Sequence, residues 1–313
     1  MSKEFELKEE KIFNQTYKST KIIFNFNNTT IYVGTNLKNN EKVIIKEIKN
    51  NKIDEESWIA ETDFMKKFKS KNSVQFLDKF KINDNFYIVM EYCDYNLKEF
   101  LDILSKKNKK ENNLVISIKD IKDIMNQFNN ILSKIINTQG VHRDIKPENI
   151  FVKIEKSDEY TIKLGDYGFS KILASKDYFT SKMGTKYYEA PEIKFNNYGE
   201  KLTNKTDLWS IGILIYYLCF KNFPINEDYI FVNKKSTKNK DLDDLISKLL
   251  VKDPKERLNW EDYFKHPFFH KNDNNVSSKT GNNFILMNGK YKIIKKYKKY
   301  DVYSFYENLL NYW

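Results

Sequence analysis

The chain has 313 residues, enough for one large core or two lobes, and its 40% hydrophobic and 15% aromatic content is ample for a globular fold. A net charge of +11 favours acidic partners such as nucleic acid or an anionic membrane, although lysines this dispersed also describe an ordinary solvated surface. Two cysteines, Cys93 and Cys219, exclude a disulfide framework and suit a reducing compartment.

The first residues, MSKEFELKEEK, are too charged for a signal peptide. Residues 21–47 alternate as strands do, with Ile22, Phe24 and Phe26 facing one way. A turn follows at Asn27-Asn28, and Ile31 and Val33 resume the pattern before VIIKEI. Residues 54–68, DEESWIAETDFMKKF, have helical spacing; VQFLDKF and FYIVMEY, around the turn-like KINDN, read as a β-hairpin. The small sheet with one helix therefore covers 15–92.

Beyond it the pattern is mainly helical, clearest at 96–104, 117–138, 206–220 and 241–250, with strand-like IFVKI and YTIKLGDYG between the second and third of these. The longest apolar run, IGILIYYLCF at 211–220, is about half the length that spans a bilayer, so a soluble, cytoplasmic protein is expected. Polar KNDNNVSSKTGNN at 271–283 sets off a basic, tyrosine-rich tail running to residue 313.

Four motifs stand in order: VIIK (43–46), HRDIKPEN (142–149), DYG (166–168) and APE (190–192), followed by DLWSIG (207–212) and DPKER (253–257). Together they resemble the signature of the eukaryotic protein kinases over about residues 15–270. The resemblance implies an α+β, two-lobed fold, with a small antiparallel sheet lobe at 15–92 and a larger, mainly helical lobe at 93–270. It implies transfer of the γ-phosphate of Mg-ATP to protein hydroxyls, chemistry that rests on positioning and charge neutralisation more than on covalent help.

Roles follow from the motifs. Asp144 is expected to accept the substrate hydroxyl's proton, Lys146 to neutralise charge on the transferred group, and Asn149 and Asp166 to hold magnesium. Lys46 is expected on the α- and β-phosphates and needs a carboxylate to fix its long side chain. Glu61 shares a helix face with Phe64, Met65 and Phe68, where an unpaired acid is costly, so it suits Lys46. Glu55 and Glu56 are alternatives in the first helical turn, where acids are favoured anyway. Met90 limits the adenine pocket, Glu91 to Cys93 offer connector backbone, Phe151 and Ile44 sandwich the base, and Ile31 joins the nucleotide-binding set. Ile44 departs from the family's usual alanine.

Other residues read as structural. His142 is expected to pack beneath Tyr167 in a spine with Met65, and His266 and His270 to close the last helix. Glu192 and Arg257 are expected to form a buried ion pair. Asp207 is expected to cap the 206–220 helix and to steady the HRD backbone. Lys146 two residues after the base, and GTKYY before APE, follow the serine/threonine pattern. Thr180 or Ser181 is the expected phosphosite, filled by an activating kinase or by autophosphorylation, with Arg143 as the receiving cation. EDYFKHPFF and GFSK resemble calcium/calmodulin-dependent and autophagy-initiating kinases. The short stretch between 221 and 241 points to a missing or reduced substrate-docking helix.

Two features open alternatives. No glycine precedes Gly34 in FNFNNTTIYVG, where kinases carry a glycine-rich lid, so a nucleotide-binding scaffold without strong activity is the rival reading. KYKIIKKYKKY in the tail suits nucleic acid or anionic lipid, and equally a segment packed back on the kinase.

Overall fold

Isoleucine, valine and aromatic residues recur through 17–48, and they form the strands that such side chains favour. The structure is a computed structural model describing residues 10–26, 28–49, 55–107, 113–155, 159–168, 170–172, 186–195, 203–233 and 235–270. A six-stranded antiparallel sheet contains β1 (Ile12–Phe13), β2 (Tyr17–Phe26), β3 (Thr29–Asn36), β4 (Lys42–Ile48), β5 (Phe76–Ile82) and β6 (Asn85–Glu91), in the order β1-β2-β3-β4-β6-β5. The helix α1 (Glu55–Lys67) packs Phe64 and Met65 into the main core beneath it.

One expectation fails in β2. The register shifts between Ile22 and Phe24, so Ile22 pairs with Tyr32 while Phe24 pairs with Ile31. Tyr32 and Ile31 point to opposite faces of the sheet, and the β-bulge therefore separates Ile22 from Phe24 and Phe26. Ile22 packs on the outer face with Tyr32 and Tyr87, and Ile23 at the bulge is buried.

That outer face carries a core of its own. The Phe13 ring of β1 lies tilted at 5.2 Å from Tyr32 and 5.4 Å from Tyr87, in one cluster with Tyr17, Val43, Ile45 and Val89. The buried Glu47 carboxylate lies beneath, accepting from Tyr32 Oη at 2.7 Å, Tyr87 Oη at 2.7 Å and Asn85 Nδ2 at 3.1 Å. Burial pushes both phenols above their usual range, with Glu47 adding to the shift. Only Tyr32 among these three serves Oε2, so Tyr32→Phe leaves a buried carboxylate oxygen short of a donor. We expect that variant to lose about 1–3 kcal/mol in urea unfolding.

The larger part begins with β7 (Tyr95–Asn96), α2 (Leu97–Lys107) and α3 (Ile118–Asn137). Ser117 caps α3 by accepting from Asp120 N, and the apolar stripe Ile121, Ile124, Met125, Phe128, Ile131, Leu132 and Ile135 buries it. Then come β8 (Gly140–Val141), β9 (Ile150–Ile154), β10 (Tyr160–Leu164) and β11 (Lys171–Ile172). β10, β9 and β7 form one small sheet, and β11 pairs with β8. Helices α4 (Pro191–Lys194), α5 (Lys205–Phe220), α6 (Lys240–Leu249), α7 (Trp260–Phe264) and α8 (Pro267–His270) complete the fold. α5 is apolar all round because it is buried all round, the pattern of a core helix. A single continuous core runs from Ile48, Trp58 and Met65 of the sheet lobe to Phe268 and Phe269. Among the described residues, no helix is long and apolar enough to cross a membrane, and none lies between α5 and α6.

Candidate active site

The HRDIKPEN loop leaves β8 and is clamped from below by α5. Asp207 accepts from His142 N at 2.7 Å and from Arg143 N at 2.8 Å. These two bonds hold Arg143 in a left-handed backbone (φ 69°), which a bulky residue keeps only when its surroundings enforce it. Burial pushes the Asp207 carboxyl up to about 6, against the pull of the two N–H groups and Arg143. Asp207 does not cap α5: it lies inside the first turn, its carboxylate is spent on the loop, and the N-cap is Asn204.

The loop brings its polar side chains together. Lys146 Nζ lies 2.9 Å from Asp144 Oδ2, and Asn149 Nδ2 donates to the same oxygen at 2.6 Å and to Asp144 O at 2.9 Å. The amide nitrogen being used this way, Asn149 Oδ1 is the atom left as a ligand donor. Gly165 N donates to Asn149 O at 3.0 Å, which ties the end of β10, and with it Asp166, to the loop. Asp166 is itself left-handed (φ 54°).

Lys46 comes from β4 on the opposite lobe. Its Nζ contacts Glu61 at 2.8 and 3.1 Å and lies 3.8 Å from Asp166 Oδ1. Burial lowers the Lys46 pKa, but the Glu61 and Asp166 carboxylates outweigh it and hold the ammonium above the usual lysine range. Glu61 is thus the carboxylate beside Lys46, with Glu55 and Glu56 exposed in the first turn.

Behind the site, Tyr167 is buried with its hydroxyl donating to Leu164 O at 2.8 Å. His142 meets it edge-on at 5.4 Å, and its Nε2 pairs with Gly165 O at 3.2 Å. Burial lowers the His142 pKa, keeping the ring neutral as a packing residue. The ring from α1 against Tyr167 is Phe64, at 5.3 Å, with Met65 buried in the same core.

The connector follows β6. Ile44 and Met90 are register partners on β4 and β6, and Ile31 pairs with Lys46. The Glu91 side chain is anchored on Lys163 (2.9 Å), Lys153 (3.0 Å) and Gln75 N (2.8 Å), and sequence reading missed the two lysines because they come from distant segments. Cys93 is buried, and burial drives its thiol far up, so it offers no reactive thiolate. Phe151, on β9, pairs with Lys163 of β10.

The segment beyond is anchored through Glu192, which receives Arg257 in a two-pronged ion pair at 2.7 and 2.8 Å. His266 contacts Asp244 at 3.0 Å and His270 pairs with Phe264 O, and no metal-binding cluster occurs among the described residues. Thr180, Ser181 and the tail lie outside the described residues.

The family model described as a protein kinase domain matches residues 17–269. The chain belongs to the protein kinase family. It is 31% identical over 296 residues to a protein named as a serine/threonine-protein kinase of Acanthamoeba polyphaga mimivirus, covering 82% of this chain and 64% of that one. Calcium-dependent protein kinase 29 of Arabidopsis thaliana is 30% identical over 76% of this chain and 45% of its own. Human serine/threonine-protein kinase Nek5 is 29% identical over 76% of this chain and 34% of its own. The kinase-family chain thus spans between about one third and two thirds of the length of these relatives.

Protein kinase domains use ATP and a divalent metal, and the donor set here suits a hard ion. The residues that would hold it are Asp166, through its carboxylate, and Asn149, through Oδ1. Small divalent ions are held through few carboxylates, with substrate phosphates and water completing the shell.

Proposed function

We propose that this protein is a serine/threonine kinase that transfers the γ-phosphate of Mg-ATP to protein hydroxyls, with its kinase domain at 15–270 and 271–313 appended as a linker and tail. The observation that carries the reading is the assembled set: Lys46 on Glu61 and beside Asp166, and Asp144 bonded to Lys146 and Asn149. It favours an active enzyme over the scaffold alternative, since a scaffold has no chemical use for all of these groups in register. Lys46 holds the α- and β-phosphates, while Asn149 and Asp166 would hold the metal, which would supply positive charge against the phosphates. Asp144 takes the proton of the attacking hydroxyl, and Lys146 offsets charge on the moving phosphoryl group. Ile31, Ile44, Met90 and Phe151 enclose the adenine, and the backbone of Glu91 to Cys93 hydrogen-bonds it. Incubation with γ-labelled ATP and a serine/threonine peptide library should place label on serine or threonine. Label on tyrosine alone, or none, overturns the reading.

The β2–β3 hairpin is the lid over the phosphates. Phe26 pairs with Thr29, which sets the tip of the hairpin between them, and Asn28 O accepts from Lys49 N at 2.7 Å. Side chains at Phe26 and Thr29 hold this backbone further from the phosphates than glycines do. Forfeiting one charge-assisted hydrogen bond costs about 1.5–3 kcal/mol, or roughly 10–150-fold in rate or affinity. Asn28→Gly should therefore leave activity equal or raise it, mainly through a lower KM for ATP; a large loss would mean that the Asn28 side chain itself contacts nucleotide.

Regulation falls on Thr180 or Ser181, phosphorylated by an upstream kinase or by the protein itself, with Arg143 receiving the phosphate. Unchanged activity and phosphate content in a double alanine variant would remove this assignment. The basic, aromatic tail suits nucleic acid or anionic lipid, and equally a segment packed back on the kinase, in a protein of the cytoplasm or the nucleus.

A further inference from the structure

The backbone of Gly165, between β10 and Asp166, ties Asp166 to the loop, but its lack of a side chain has no task in the reading above. Its φ lies outside the left-handed region, so no conformational demand calls for glycine. Space does. A Cβ placed there would stand 2.8 Å from Phe151 Cε2, 3.0 Å from Phe151 Cδ2 and 2.8 Å from Val74 Cγ2. Carbon atoms in comfortable contact are about 3.5–4.0 Å apart, so one of the two side chains must move.

The backbones around this point are pinned. Phe151 pairs with Lys163 on one side and Asn96 on the other. Val74 N donates to Leu164 O at 2.8 Å, Leu164 N donates to Asn72 O at 2.9 Å, and Ser73 bridges Leu164 in parallel. Gly165 is held at both ends, by Asn149 O and by the His142 ring. Val74 is buried, and its branched side chain has one stiff torsion. Phe151 is half-buried and unbranched at Cβ, so its ring turns at lower cost than the Val74 side chain.

We propose that Gly165 is a nucleotide-positioning residue, its absent side chain forming the seat that keeps the Phe151 ring low enough for an adenine base to enter beneath Ile44. This rests on the nucleotide-site reading of Phe151 and Ile44. The seat matters in this chain because both jaws are bulky, an isoleucine and a phenylalanine.

The test measures Kd for Mg-ATP on the full chain by calorimetry, with the Tm of every variant as a folding check. Gly165→Ala should weaken binding about tenfold, the scale of coupling between touching residues. In a Phe151→Leu background the same substitution should change Kd less than about twofold, because the smaller side chain does not need the seat. Equal losses in both backgrounds overturn the proposal, as does wild-type affinity in Gly165→Ala or rescue by Val74→Ala instead of Phe151→Leu. A crystal structure of Gly165→Ala with the Phe151 ring unmoved overturns it independently. If the wild type binds ATP but transfers no phosphate, the enzyme reading fails and the seat, read through Kd, stands.

Discussion

Replacing Asp144 with asparagine should lower turnover by about 10²–10⁴-fold, the usual contribution of a positioned general base, with ATP affinity nearly unchanged. The substitution isolates proton transfer. An asparagine oxygen can still accept from Lys146 at 2.9 Å and from Asn149 at 2.6 Å, so the loop keeps its internal bonds. What it removes is the basic oxygen pair and its charge. The clamp beneath is untouched, because Asp207 grips the backbone of His142 and Arg143, not the Asp144 side chain. Single-turnover transfer to a peptide, alongside a separate ATP titration, separates the two effects. Equal transfer by wild type and variant would mean that the label arises elsewhere and would return the scaffold reading to first place. A fall in ATP affinity matching the fall in turnover would place Asp144 among the metal ligands instead.

Much of this site was legible in the chain because local motifs carry it. HRDIKPEN puts base, lysine and metal ligand within eight residues, and the loop closes on itself through Asn149 and Lys146. Even Glu61, fifteen residues from Lys46, could be picked out, since an acid on the stripe of Phe64, Met65 and Phe68 demands a cation. The parts that escaped depend on register and on space. Alternation alone places Ile22 with Phe24 and Phe26, whereas the bulge turns Ile22 outward to join Phe13 and Tyr32. A single extra residue in a period-two pattern leaves no compositional mark. The anchoring of Glu91 by Lys153 and Lys163 joins β6 to β9 and β10, segments more than sixty residues away, among many lysines with equal claim. Gly165 reads as an ordinary spacer before DYG until the distances to Phe151 and Val74 are known. Asp207 was half legible: an acid early in a helix suggests a cap, but only the packed loop shows that its oxygens are already taken.

Arg257→Met should cost about 3–5 kcal/mol and lower Tm by roughly 6–20 °C, because it strands a buried carboxylate without removing it. The Arg257 side chain is fully buried and Glu192 nearly so. Beyond the two bonds to Glu192, its guanidinium serves Val251 O at 2.9 Å, Lys205 O at 2.8 Å and Lys252 O at 3.2 Å, and it lies 5.3 Å from the Trp209 ring centre. One side chain thus joins α4, the start of α5 and the turn before α7. Methionine fills much of the volume and none of the donor positions. A second substitution separates charge from shape: if the stranded Glu192 carboxylate dominates, Glu192→Gln placed on Arg257→Met should recover part of the loss, since a neutral amide is cheaper to bury than an unpaired acid. If the lost carbonyl partners dominate, the double variant should be no more stable than the single. A fall of less than about 1 kcal/mol in Arg257→Met would rank the pair with exposed salt bridges and remove it as the anchor of the APE segment. Activity should track the same order, because Pro191 and Glu192 begin the helix that carries this segment, and loosening their anchor frees Tyr188, whose carbonyl Ser210 now holds at 2.7 Å.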